Sequence, residues 1–489
     1  MMKLKNKLLL TVLLISTLLS CKKLIEIEDE DFIKDTNAFQ TVENVEQGVI
    51  GAYAGMVPEM GYLLNSTFSD EVKTAGEFYN SISTHEWQYG PEDVTIRDNF
   101  TAMANFYAVI DRANRILQAV DNADSTRPGD PALKPRLKGE ALFIRAFAHF
   151  ELARFYTGNY TADGLAMPFQ TEVYTVPSKT PIAREKMSTY YQKIIADMTE
   201  AKNLLPALTG TSDKFRATKI AVVGLQARVA LYMNDWANAI TYSTEYINAI
   251  PLSPRANFTG IWTDANTEEV AFKLDRSNTF NPYNRLGSLY RGTSASASGN
   301  GIGVVLWSPS DKLWNSYDAT NDIRFTAYLK SEPILAAVGR PSRLVNKYAG
   351  TAYGTSGENV ADVKVFRTGE MYLIRAEARA ETGAITGANS AESDVNALRA
   401  ARITGYTPVV FTSKQQAIDE IMLERFKELA FEGHRFWDLR RKGLPVVRIG
   451  TDAPSATGAT LPAGSFRFLL PIPRRELQAN PLMVQNPGY

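Results

Sequence analysis

Val222-Val223-Gly224-Leu225-Gln226-Ala227-Arg228-Val229-Ala230-Leu231-Tyr232-Met233-Asn234-Asp235-Trp236-Ala237-Asn238-Ala239-Ile240-Thr241-Tyr242 decides the fold. Its first half is rich in helix formers, with alanines that let a neighbouring helix approach closely. A polar turn, Asn234-Asp235, then separates it from a second apolar stretch. Two distant segments read like that first half: Ala141-Leu142-Phe143-Ile144-Arg145-Ala146-Phe147-Ala148 and Met371-Tyr372-Leu373-Ile374-Arg375-Ala376-Glu377-Ala378. The last continues, after Gly383 to Gly387, into Ala391 to Arg402, where Ala391, Val395 and Leu398 are spaced for one helical face. A helix-turn-helix unit therefore recurs. At 489 residues the chain exceeds the roughly 250–300 at which one compact core stops growing, so two domains or a stack of repeats is required. The recurring unit favours the stack.

The tyrosine, polar turn, aromatic and alanine of Tyr232 to Ala239 resemble the tetratricopeptide pattern. Further helices follow from apolar spacing. Met187, Tyr191, Ile194, Ile195, Met198, Ala201 and Leu205 recur at three- and four-residue intervals until Pro206. Val42, Val45, Val49, Tyr53 and Met56 predict a helix ending before Pro58, and Phe106, Val109, Ile110, Ala113 and Leu117 predict another. The stretch from about Pro251 to Gly357 is different, loaded with Gly, Ser, Asn, Thr and aromatics. Loops with short strands are expected there. Loops on a rigid helical scaffold are where ligand sites usually sit, so the site is placed in this region.

Composition narrows the function. Fifty-three Lys and Arg balance 53 Asp and Glu, which removes any bias towards nucleic acid or anionic membrane. The sole cysteine, Cys21, closes an apolar run from Leu8 to Leu19 that follows Lys3, Lys5 and Lys7. That run is too short to span a bilayer. A small residue followed by cysteine resembles the bacterial lipobox, which implies a signal peptide over residues 1–20 and lipidation of Cys21. Residues 21–35, acidic towards their end, read as a solvated tether and are similar to the surface-export signal of Bacteroidota lipoproteins.

Nothing announces catalysis. The three histidines, His85, His149 and His434, have no metal-ligand spacing, and no Gly-x-Ser-x-Gly, Walker loop or dinucleotide fingerprint occurs. No metal and no cofactor is expected. Asp70 with Glu71, and Glu268 with Glu269, are adjacent acids that a glycosidase reading would nominate, but neighbouring side chains usually point apart.

Glu424-Arg425-Phe426-Lys427-Glu428-Leu429-Ala430-Phe431-Glu432-Gly433-His434-Arg435-Phe436-Trp437-Asp438-Leu439-Arg440-Arg441 resembles the signature of the SusD/RagB family of nutrient-binding outer-membrane lipoproteins. Leu470 to Pro481, the ending Gln485-Asn486-Pro487-Gly488-Tyr489, Ala146 to Leu152 and Tyr372 to Ala378 are similar to other parts of that family. The resemblance implies a mainly α fold: four tetratricopeptide-like helix pairs packed against an irregular, loop-rich ligand-binding portion with few short strands. It implies a single domain over residues 36–489, with helical repeats at about 36–250 and 362–445, the loop-rich insertion at about 251–361 and a tail over 446–489. It implies a SusC-like TonB-dependent β-barrel transporter as partner, surface exposure on the outer membrane through the lipid, and no reaction. Cargo is an oligosaccharide or, as in the RagB branch, a peptide.

In physical terms the signature is structural. Ile418, Met422, Phe426 and Leu429 form a stripe, Gly433 is suited to end that helix, and Phe436, Trp437 and Leu439 are core groups. Glu424, Glu428, Arg435, Asp438 and Arg440 are expected to pair in a network, and Arg145, Arg228 and Arg375 to tie adjacent helices. Sugar rings stack on Trp and Tyr, so loop aromatics are the candidate ligand contacts. Tyr79, Trp87, Tyr89, Tyr283, Tyr290 and Trp307 are favoured, with Asp70, Asn80, Asn284 and Arg285 as polar partners. Trp236, Trp314 and Trp437 are expected in the core. A helical scaffold without cargo would not need the Gly/Ser-rich middle.

Overall fold

The computed structural model describes residues 38–489, apart from 77–81, 94, 95, 97–102, 175–180, 211–213, 278, 280–284, 293–302 and 351–354. The signal segment, Cys21 and the acidic tether therefore lie outside the described residues.

The main helices before the middle of the chain are α1 (Val42–Gly55), α2 (Glu59–Phe68), α3 (Met103–Ala119), α4 (Asp130–Tyr156), α5 (Met187–Leu204), α6 (Lys219–Met233) and α7 (Trp236–Ala249). The middle holds α8 (Leu286–Arg291) and α9 (Asp311–Trp314), and α10 (Thr368–Glu381), α11 (Ala391–Arg402), α12 (Lys414–Glu428) and α13 (Arg435–Arg441) follow. Packing sorts the long helices into four pairs: α1 with α3, α4 with α5, α6 with α7, and α10 with α11. The pairs join through α3 on α4 and α7 on α10. This is the mainly α architecture of tetratricopeptide-like pairs expected from the sequence, with residues 56–102 set into the first pair and 250–367 between the third and fourth.

Local chemistry explains the recurring unit. Asn234 ends α6 in the left-handed conformation at φ 57°, and the Asp235 carboxylate accepts the Asn238 amide at 3.2 Å to start α7. Arginines then fasten the helices. Arg145 on α4 donates twice to Asp197 on α5 at 2.7 Å, and Arg228 on α6 donates twice to Glu370 on α10 at 2.7 Å. Arg375 on α10 reaches Asp394 on α11 at 2.7 Å and Thr244 on α7 at 3.2 Å. All three arginines tie helices, as their positions in the repeats predict.

The signature forms α12, α13 and the turn between them. Glu428 accepts from Arg324, Arg367 and Arg402, and Glu424 accepts from Arg324 and Arg399. Burial alone would raise the Glu424 carboxyl, but Arg324 and Arg399 outweigh it and hold it down to about 2. Asp438 binds Arg425 and Arg441. Glu424, Glu428 and Asp438 are paired in the interior as expected, and Arg435 pairs with Asp70, but Arg440 is not part of the network: it donates to the carbonyls of Arg154 and Phe468. A further detail differs: α12 ends at Glu428, five residues before Gly433. Gly433 instead sits in the following turn at φ 78°, where a Cβ would lie 2.5 Å from the Tyr62 ring. Close approach to α2, in addition to backbone handedness, requires glycine here.

Among the described residues eight short strands pair two by two, all antiparallel: β1 (Val72–Thr74) with β3 (Trp307–Pro309), β2 (Val270–Leu274) with β6 (Val363–Arg367), β4 (Leu329–Ser331) with β5 (Arg343–Val345), and β7 (Val446–Val447) with β8 (Thr460–Leu461). Three buried arginines that bond backbone carbonyls and an asparagine fasten the tail to the helices. Arg184 donates to Val484 O and Asn486, Arg440 to Arg154 O and Phe468 O, and Arg448 to Ser69 O, Thr67 O, His85 O and Gly458 O.

Candidate ligand-binding face

β1 grows directly from α2 through Asp70 and Glu71, which are both buried and point to different partners. Asp70 accepts two bonds from Arg435 at 2.8 and 2.9 Å and one from Lys312 at 2.6 Å. Burial opposes its charge, but those cations prevail and hold it well below the usual carboxylate range. Glu71 accepts from the Ser66 hydroxyl at 2.7 Å and the Phe431 amide at 3.3 Å. Its other oxygen is buried without a hydrogen-bond partner, and burial pushes its carboxyl up to about 8. Glu268 accepts from the Ser253 hydroxyl and Asn257, whereas Glu269 accepts from the Ser253 amide at 2.8 Å and from Arg402. All four acids are engaged by groups of the protein itself.

The aromatic candidates require a correction. Trp87 is 4% exposed, donates Nε1–H to Phe68 O at 2.9 Å and lies under the Arg448 guanidinium at 4.2 Å. Tyr89 is buried between Phe68 and Tyr489 and donates to Arg467 O at 2.7 Å. Tyr290 is fully buried on α8, its hydroxyl 2.8 Å from Ser66 Oγ, and Trp307 on β3 packs its ring 5.1 Å from His85. These four rings are interior supports. Asp70 serves the ion cluster, and Arg285 donates to Glu358 O at 2.7 Å. Tyr79, Asn80, Tyr283 and Asn284 lie outside the described residues.

What these supports carry is a convergence of loop stems. Ala75 N–H donates to Leu306 O at 3.4 Å, and Leu306 N–H donates to Tyr290 O at 2.8 Å. This sets Ala75 and Leu306 beside Tyr290. Gly292 meets Asn359, which donates to its carbonyl at 2.8 Å, while Arg291 donates to Ala349 O at 2.9 Å. The described loop stems at Ala75, Gly292, Leu306, Ala349 and Asn359 thus gather around α8, next to β1 and β3.

Trp314 lies on this side of the molecule and, like Trp236, is half-buried against the core instead of fully inside it. It ends α9, which Ser310 starts by accepting the Leu313 amide at 3.0 Å. Leu313 and Tyr317, four residues apart, share the buried face, and Trp314 stands one helical step off it. Arg343 on β5 lies over its ring at 4.7 Å, and β5 packs on both α8 and β3. Asp311 links Arg343, at 2.6 Å, to Lys73 on β1, at 2.7 Å, and also accepts from Thr451. Sequence reasoning missed this cluster. The available signal was the serine-capped turn before Trp314, which sets it out of phase with Leu313.

Trp437 is interior as expected, whereas Trp236 is half-buried against the core. His149 is enclosed between Tyr190 and Gln170, and burial holds it down to about 3. Among the described residues no group of three or more metal-ligating side chains is assembled, and no helix is long and apolar enough to cross a membrane.

A model described as the SusD family matches residues 336–489, and one described as starch-binding associating with outer membrane matches residues 27–231. A SusD-like protein of Formosa agariphila is 24% identical over the whole of both chains. The chain belongs to the SusD/RagB family. A SusD superfamily protein from Bacteroides thetaiotaomicron shares its fold at a TM-score of 0.77, with 22% identity, covering 91% of this chain and 100% of that one. A laminarin-binding SusD-like protein aligns at a TM-score of 0.70, with 21% identity, over 92% and 100%. The SusD fold is thus common to the helical scaffold and the loop-bearing face described above.

Proposed function

We propose that this SusD-family protein is a non-catalytic, lipid-anchored binding protein of the cell surface that captures a nutrient oligosaccharide and passes it to a SusC-like TonB-dependent transporter. The single observation that carries the capture site is Trp314. It is an incompletely buried indole on the side where the loop stems gather, and such a ring offers a broad flat surface to sugar C–H groups. Tyr79, Asn80, Tyr283 and Asn284 belong to the segments that begin at those stems and are proposed as further contacts. The named relatives favour sugar over peptide as cargo. The engagement of Asp70, Glu71, Glu268 and Glu269 by groups of the protein itself favours binding over hydrolysis. Cys21 behind its apolar run supports the anchor, and the outer-membrane description of the matched family agrees with it.

The test is calorimetric titration of the full-length protein, held in detergent, with laminarin- and starch-derived oligosaccharides and with peptides. Heat from a defined glycan that Trp314→Ala removes is the expected result. Heat from peptides alone would replace the reading with peptide capture. For the anchor, Cys21→Ser is expected to move the protein from the membrane to the soluble fraction, and retention in the membrane would contradict lipidation at that residue.

A further inference from the structure

The accessible part of the Trp314 indole is not bare. Phe325 meets it edge-on, with centroids 4.9 Å apart at 76°, and the Arg343 guanidinium covers its ring at 4.7 Å. Arg343 is also bonded to Asp311 at 2.6 Å. Asp311 does not depend on it: Lys73 and Thr451 both donate to the same carboxylate. Against the penalty of burial, those two do more than Arg343 to keep Asp311 below the ordinary carboxylate range. Arg343 can therefore swing away without leaving an unpaired acid. It is also the more exposed partner, its side chain 39% accessible against 21% for Asp311.

A sugar ring that stacks on Trp314 takes the place of the guanidinium and leaves its planar fork of N–H donors at the rim of the ligand. The acceptors nearby are already engaged. Asp311 holds Lys73 and Thr451, and the two oxygens of Asp452 accept the backbone amides of Asp311 at 2.6 Å and Lys312 at 3.0 Å. The polar group left to meet the ligand is a cationic fork, whose complement is an oxyanion, not a neutral hydroxyl. We propose that Trp314 and Arg343 form a subsite for an anionic sugar residue, one that bears a carboxylate or a sulfate. Trp314 supplies the stacking surface and Arg343 the charge that selects. This rests on the capture reading above and narrows its cargo.

The experiment is a titration of the full-length protein in detergent with four tetrasaccharides: laminaritetraose and cellotetraose as neutral probes, tetragalacturonate as the uronate and neocarratetraose sulfate as the sulfate. An anionic probe is expected to bind roughly tenfold or more tighter than either neutral one. Arg343→Gln is expected to erase that preference, and Arg343→Lys to restore part of it. The uronate and sulfate arms identify which anion is read. A purely structural Arg343 would lower thermal stability in both variants and leave the neutral-to-anionic ratio unchanged, which would overturn the proposal. Neutral binding that Trp314→Ala abolishes, with no anionic preference, would overturn the proposal while sustaining glycan capture. Silence with all four probes would overturn the capture reading and the subsite with it.

Discussion

Glu71 is a buried acid whose proton the fold retains. Its carboxyl rises from 4.5 to about 8 chiefly because burial penalises the charge, with Asp70 adding to the effect against the Ser66 and Phe431 bonds. Because the folded value is the higher one, its contribution is intact below the unfolded value and is lost as pH climbs towards 8. Glu71→Gln is therefore expected to gain stability relative to wild type between pH 5 and 8, by roughly 2–4 kcal/mol at the alkaline end. Parallel denaturant titrations at the two pH values check this; a stability difference between variant and wild type that is the same at both would contradict a raised Glu71. The tryptophans separate by the same logic of burial. Trp87→Ala is expected to cost about 3–5 kcal/mol of stability, the usual loss for a deleted core aromatic, whereas Trp314→Ala costs far less. Thermal unfolding of the two variants compares them directly. Sequence alone did not divide these residues, because what buries Trp87 is Arg448 and the carbonyl of Phe68, brought there only by the tertiary fold.

Among the elements, the helix pairs were legible because their signals are local: apolar spacing, alanines at close crossings, and a polar turn such as Asn234-Asp235 that supplies both caps. The arginine ties were legible for a related reason, since a cation at the same place in successive repeats must find a partner on the next helix. The end of α12 was not, because Gly433 answers to Tyr62 on another helix. Nor was Trp314, where one step of helical phase separates a fully buried position from a half-buried one. The α12–α13 unit depends on its ion network. Glu428 is enclosed with Arg324, Arg367 and Arg402, so Glu428→Gln is expected to cost about 3–5 kcal/mol by leaving buried guanidinium groups undercompensated. Equilibrium unfolding in urea measures it, and a change below 1 kcal/mol would mean that the network contributes little.

Over the whole molecule, a helical scaffold and a loop-bearing face are held as one by contacts distant in sequence, including the tail. Arg184 alone bonds Ala166 O, Tyr156 O, Leu165 O, Val484 O and Asn486. Arg184→Met is expected to release the tail first, raising hydrogen exchange at Leu482 to Asn486 while α6 and α7 stay protected. Uniform loss of protection would instead make the tail part of one cooperative unit. The central claim is that ligand meets the molecule at Trp314 and not at the interior aromatics. The most direct measurement is hydroxyl-radical footprinting of the tryptophans with and without a glycan that binds. Oxidation of Trp314 that falls on binding, with Trp87, Trp307 and Trp437 little oxidised in either state, is the predicted result. Equal oxidation of Trp314 at saturating glycan would contradict the account.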